Sequence, residues 1–312
     1  MTKKSSLTNK GENLLLKDLV RDKYLYLLLL PGMLFIIVFK YIPMYGLVIA
    51  FQEYNILQGV GGSDWVGLYQ FKKLFTMLDF TSVFKNTLII STLKLIWGFP
   101  APIVLALLLN EVKQLVFQRF VQTVVYLPHF ISWVIFSGII IIFLNPVDGL
   151  VNQVMGWFGG EPVDFLIEKS YFRSILVATD IYKEVGWGTI IYLAAISGIN
   201  PQLYEAAIVD GAGRFRQMWN ITLPSIRHVI IILFILSLGN ILDAGFLQTL
   251  LLYNPLVMDV ADIIDTYVYR KGIVDASYSL GAAAGVFKSV IALILVAASN
   301  QLAKRFGEEG LW

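Results

Sequence analysis

The chain has no cysteine, which excludes disulfides, zinc–thiolate sites and cysteine nucleophiles. Charge is scarce too: Asp, Glu, Lys and Arg make up 15% of the 312 residues, against about 25% in soluble domains. There are two histidines, His129 and His228, and no clustered carboxylate beside them, so a metal site is not expected and interfacial hydrogen bonding is the reading for both. No Ser-His-Asp set and no Gly-x-Ser-x-Gly elbow occurs. The nearest approach to the phosphate-binding pattern G-x-x-x-x-G-K-[ST] is Gly281 to Ser289, where the spacing is wrong and the surroundings are apolar. Gly281 and Gly285 read instead as a small-residue face for close helix approach. The chain therefore reads as non-enzymatic, with no cofactor.

What is present is apolar surface. Hydrophobic residues are 57% of the chain and the mean hydropathy is +0.71, too much for a soluble protein to cover. The same figures exclude disorder and a soluble nucleic-acid binder. The net charge is only +2, with no basic block beyond the N-terminus. A hydrocarbon core about 30 Å thick takes roughly 20 apolar residues per helix. Six such runs are present, at 24–44, 84–109, 121–144, 172–197, 228–251 and 279–303. The first run is expected to remain as a span, since no small-residue cleavage site follows it; the chain continues into Tyr41-Ile42-Pro43-Met44-Tyr45. An all-helical membrane protein results, with a basic segment 1–23, a transmembrane domain 24–303 and a short tail 304–312.

Orientation follows from Lys and Arg. The segments 1–23, 110–120, 198–227 and 304–312 carry thirteen of them in 73 residues. The segments 45–83, 145–171 and 252–278 carry five in 93 residues and read as outer loops rich in turns. The basic side should be cytoplasmic, which places both termini there.

The segment between runs four and five carries the strongest pattern. Asn200 can cap a helix, and Pro201 suits its first position. Glu205, Ala206 and Ala207 favour helix. After Asp210, Gly211 and Gly213 permit a sharp turn, with φ above zero expected at both. A second short helix then leads to Ile221, Leu223 and Pro224, where run five starts. The outcome is a helix–turn–helix at the membrane surface over 200–224.

This stretch resembles the EAA loop of ABC-importer permeases: Glu205, Ala206, Ala207, then Gly211, then Ile221, Leu223 and Pro224, without a gap. Tyr41 to Gly46, Ala50-Phe51-Gln52, Trp65-Val66-Gly67, Leu127 to Trp133, Gly186 to Ala195 and Asp265 to Arg270 look like the carbohydrate-uptake, maltose-type family, and within it the LplB-type oligosaccharide and polysaccharide branch. The resemblance covers most of the chain. It implies a type I importer fold, with a MetI-like five-helix core plus one N-terminal helix. It implies a non-catalytic subunit of a bacterial cell membrane, forming half a pore. Its partners would be a second homologous permease, two copies of a cytoplasmic ATPase and an extracellular lipid-anchored solute-binding protein. The EAA loop would dock on the ATPase, with Glu205 as an anionic contact.

Charges inside the runs should face protein or water, since each costs about 2.5–3.5 kcal/mol at mid-membrane. Lys94, Asp180, Lys183, Glu184, Asp243 and Lys288 are the ones concerned. Mutual pairing between helices and a wet translocation path are both open readings. A sugar path needs a flat aromatic face and hydroxyl or amide partners. Trp187, Ser237, Asn240 and Asp243 supply those types, the last three at intervals of three on one expected helix face. Trp187 between two glycines is equally readable as a packing knob. Three rival functions remain: a permease of the same class for a peptide or polyamine, an ion-coupled carrier using Asp180, Glu184 and Asp243, and a structural membrane scaffold with no solute path.

Overall fold

The computed structural model describes residues 21–305, so most of the two expected cytoplasmic tails lies outside the described residues. Helix α1 (Lys23–Ile36) runs on through a π-helical turn at Ile37–Tyr41 and a short turn at Ile42–Met44 into a 3-10 turn at Tyr45–Phe51. This first span is thus longer than the expected 24–44. None of the α1 side chains is buried, and the unit is anchored at its far end, where Ala50 is fully enclosed. A two-residue hairpin, β1 (Gln52–Glu53) and β2 (Asp64–Trp65), follows. Helix α2 (Tyr69–Thr76) then leads into α3 (Leu78–Gly98) and α4 (Pro100–Glu111). Pro100 removes one backbone donor, yet Phe99 keeps helical dihedrals, so α3 and α4 together form a 34-residue unit.

Helices α5 (Leu115–Phe130) and α6 (Trp133–Phe143) meet at 106° rather than forming one straight span over 121–144. Pro128 weakens the end of α5, Ile131 and Ser132 are extended, and the Ser132 hydroxyl caps α6 through the Ile135 amide at 3.4 Å. Helix α7 (Leu150–Trp157) lies in the following loop. Helix α8 (Lys169–Ser197) is the long central rod, packed on α3, α4 and α5. It approaches α5 so closely that a Cβ on Gly186 would strike the backbone of Val125, and α4 so closely that a Cβ on Gly188 would sit 3.0 Å from Pro102.

After α9 (Pro201–Val209), a helical stretch over Arg214–Ser225 turns by 60° into α10 (Arg227–Gly239). Run five does not continue as a helix to 251. It stops at Gly239, and residues 240–245 are non-helical, with Gly245 at φ +89°. Asn and Asp side chains compete for backbone groups, and glycine alone enters the left-handed region readily, which explains a break in an otherwise apolar run. Helix α11 (Phe246–Leu252) resumes, and α12 (Tyr278–Arg305) closes the chain. Lys23–Phe51, Leu78–Glu111 and Tyr278–Arg305 are long and apolar enough to cross a membrane, and the two bent pairs bring the number to five. The fourth run lies in α8, which has the length but carries Asp180, Lys183 and Glu184 midway.

The expected outer loop at 252–278 is instead part of the core. Leu252, Val257, Ala261, Ile263, Ile264 and Tyr267 are buried, packed against α3, α6 and α12. Within it, Arg270 donates to Asp262 at 2.6 Å. The small-residue face is realised in half: Gly281 lies against Gly272, and Gly285 has open space beside it.

Candidate coupling elbow and translocation cavity

The segment 200–224 is an elbow of two helical arms. The Asn200 side chain accepts from the Gln202 amide at 3.0 Å, and Pro201 opens α9, as its residue types require. Asp210 ends α9, Gly211 takes φ +72°, and the Ala212 amide donates back to the Ala207 carbonyl at 2.8 Å. Gly213 departs from expectation: its φ is −65°, so it starts the second arm without the left-handed backbone. That arm runs through Arg214–Gln217, a π-helical turn at Met218–Thr222 and Leu223–Ser225. Tyr204 and Thr222 share a hydroxyl–hydroxyl hydrogen bond of 2.9 Å that ties the arms together. Arg214 reaches Glu111 at the end of α4 at 3.7 Å.

Glu205 and Ala206 are exposed, and no α9 side chain is buried. Leu203, Ile208, Val209, Phe215 and Trp219 are exposed apolar groups on the same elbow, with Val209 at 88%. Ile221 and Leu223 are half-buried at the base. The arrangement is an internally braced elbow with exposed apolar side chains and an acid, Glu205, that pairs with no other described residue.

A cavity of about 840 Å³ lies between α3, α4, α8, α10 and the break at 240–245. Trp187, Ser237, Asn240 and Asp243 all line it, so the four sequence candidates are brought together. The route differs from expectation, because Asn240 and Asp243 sit in the break and share no helix face with Ser237. Trp187 stacks on His129 at 4.5 Å and 4° between planes, and remains 46% exposed.

The charges within the runs pair mainly across helices, with Lys183 and Glu184 also 3.7 Å apart along α8. Lys94 on α3 donates to Asp180 at 2.9 Å and to Gln248 on α11 at 2.6 Å. Gln248 is fully buried and donates onward to the Leu176 carbonyl and the Thr179 hydroxyl of α8. Lys183 donates to the carbonyls of Pro128 and His129 at 3.1 and 2.8 Å. Glu184 meets His129 Nδ1 at 2.7 Å, which realises the hydrogen bonding expected of that histidine. Lys288 pairs with Asp265 at 2.6 Å.

A model of the family described as the binding-protein-dependent transport system inner membrane component matches residues 98–308, a stretch that holds both the elbow and the cavity break. The chain belongs to that family. This permease is 50% identical over 303 residues to YteP of Bacillus subtilis (strain 168), a polygalacturonan/rhamnogalacturonan transport system permease protein, covering 97% of this chain and 94% of the relative. Protein LplB of the same organism is 49% identical, over 94% of this chain and 92% of its own. Among solved structures, a bacterial ABC transporter importing the acidic polysaccharide alginate contains a chain superposing with a TM-score of 0.87 at 44% identity, covering 93% of this chain and 98% of that one. A second structure of a bacterial alginate ABC transporter, in complex with an alginate pentasaccharide-bound periplasmic protein, matches with the same TM-score.

Gln248 and Thr179 escaped the sequence reading. A glutamine close to a helix break, some 154 residues from its lysine, gives no local signal. The cost of an intramembrane lysine does demand partners, but not which ones.

Proposed function

We propose that this permease forms half of the translocation pore of an ATP-driven importer for oligosaccharides or polysaccharide fragments. A second, homologous permease supplies the other half. Two copies of a cytoplasmic ATPase dock beneath, and an extracellular lipid-anchored binding protein delivers the sugar. Both termini face the cytoplasm. The single observation that carries the reading is the exposed, braced elbow bearing every fixed EAA position from Glu205 to Pro224. The relatives' transport of polygalacturonan, rhamnogalacturonan and alginate supports the cargo class.

The elbow passes motion in both directions. Its arms are tied by Tyr204–Thr222, and its base runs into α10, which lines the cavity. A displacement at α9 is therefore carried to Ser237 and the break beyond it. ATP binding must stabilise the outward-facing state more than the inward-facing one, or no cycle results. Trp187 offers an aromatic face to sugar C–H groups, and Ser237, Asn240 and Asp243 meet hydroxyls. An ion-coupled carrier is disfavoured, because Asp180 and Glu184 are held by Lys94 and His129.

The test is Glu205→Lys in the assembled importer. Sugar uptake and sugar-stimulated ATP hydrolysis should both be lost, with the folded permease still in the membrane. Full uptake in that variant contradicts the role of Glu205. Uptake of peptide or polyamine instead of oligosaccharide by the unaltered importer contradicts the cargo.

A further inference from the structure

Resting on the carbohydrate reading above, we infer that His129 is a positioning residue for the sugar path: its imidazole backs one face of the Trp187 indole and leaves the other face for the saccharide. Glu184 and Trp187 stand three residues apart on α8, so they are neighbours on one helix face. The imidazole lies across that turn. Its Nδ1–H donates to the Glu184 carboxylate at 2.7 Å. A carboxylate can only accept, which assigns the proton to Nδ1. The ring lies parallel to the indole, with 4.5 Å between centroids and 4° between planes. The backbone is held as well. The buried Lys183 ammonium donates to the His129 carbonyl at 2.8 Å and to that of Pro128 at 3.1 Å.

Few other groups orient the indole. Its neighbours in the chain are Gly186 and Gly188, which bring no side chain to it. Among the described residues, its N–H has no hydrogen-bond partner. The other ring that meets it, Phe130, comes edge-on at 6.1 Å from the same end of α5. Yet Trp187 stands half-exposed in the cavity wall. A side chain that open can move among its staggered rotamers unless a neighbour fixes its plane. Here the fixing ring belongs to α5, directly before the break at Ile131–Ser132.

An indole already held in plane loses no freedom when a sugar ring arrives, and the binding free energy saved favours capture of the sugar by the pore. Stacked rings attract beyond the area they bury, enough to favour the aligned indole by about two- to tenfold. Productive transfer of sugar should fall by the same factor when the imidazole is removed.

The experiment uses the complete importer in proteoliposomes with saturating binding protein, and reads sugar taken up per ATP hydrolysed. That ratio belongs to each working importer, so a variant that merely assembles less well lowers both quantities and leaves it unchanged. The probes are a radiolabelled oligogalacturonide and a radiolabelled alginate oligosaccharide, matching the cargo of two relatives. His129→Ala should lower the ratio by about two- to tenfold. His129→Phe keeps a flat ring without Nδ1 and should retain most of it. His129→Asn keeps a hydrogen-bonding group near Glu184 without a ring and should fall with His129→Ala. In a Trp187→Ala background, His129→Ala should cause no further loss, because it acts through the indole. An unchanged ratio in His129→Ala overturns the inference and leaves the carbohydrate reading standing. So does a His129→Asn that outperforms His129→Phe, or a further loss in the Trp187→Ala background. Entry of neither probe, with peptide or polyamine taken up instead, overturns the carbohydrate reading and the inference with it.

Discussion

At the scale of single residues, the protein solves the problem of charge in an apolar setting by pairing between helices. Lys94 joins α3, α8 and α11, and Lys183 joins α8 to the end of α5. The sequence marks these residues, because each is costly at mid-membrane. It does not mark the partners, which lie 54 to 154 residues away. Gly186 is the opposite case, a residue whose value is its missing side chain. Gly186→Val should force α8 off Val125 and destabilise the subunit by about 1–3 kcal/mol, read as a lowered Tm of the purified importer. An unchanged Tm would show that the helices separate without cost. At the start of α8, the Lys169 ammonium beside Asp259 holds its carboxyl below the usual carboxylate range. A lowered pKa in the folded state contributes stability above the unfolded-state pKa and loses it as pH falls through the folded one. The pair is exposed, so the expected effect is small: acid titration followed by NMR of the Asp259 carboxyl should give a midpoint below that of an unpaired aspartate, and Lys169→Gln should restore it.

Elements show where apolar runs are legible and where they mislead. Six runs locate the helical units, because hydropathy over about 20 residues is a strong signal. Breaks inside those runs are weakly signalled. Ile131–Ser132 and 240–245 interrupt stretches that remain hydrophobic on average, and only Pro128, Gly239, Asn240 and Gly245 hint at them. The segment 252–278 misleads for the reverse reason. Asp, Asn, Arg and Lys within it lower its hydropathy, yet Asp262 and Arg270 satisfy each other, and the apolar remainder fills the core. The elbow is legible almost throughout, since its caps, its glycine turn and its exposed apolar groups are local. Gly211 is the position where the turn depends on a left-handed backbone. Gly211→Val should strain the turn by roughly 1–2 kcal/mol and tilt α9 on its base. Sugar-stimulated ATP hydrolysis should fall several-fold while the Tm of the permease stays within a few degrees. Intact stimulation would mean the turn geometry is irrelevant to coupling.

For the whole molecule, two features divide the labour. The elbow presents an acid and apolar side chains on the basic side of the chain, and the cavity gathers Trp187, Ser237, Asn240 and Asp243 between the rods. The helix α10 connects them. The elbow and the break at 240–245 both lie within residues 98–308, the stretch matched by the binding-protein-dependent permease family. The absence of cysteine makes the decisive test direct. A single Ala206→Cys, placed on the exposed face of α9, is paired with single cysteines along the surface of the co-expressed ATPase, and oxidative cross-linking is followed with and without ATP. The account predicts a cross-linked permease–ATPase product at one defined set of positions, changing in yield when ATP binds. No cross-link at any position, in an importer that still transports sugar, would contradict it.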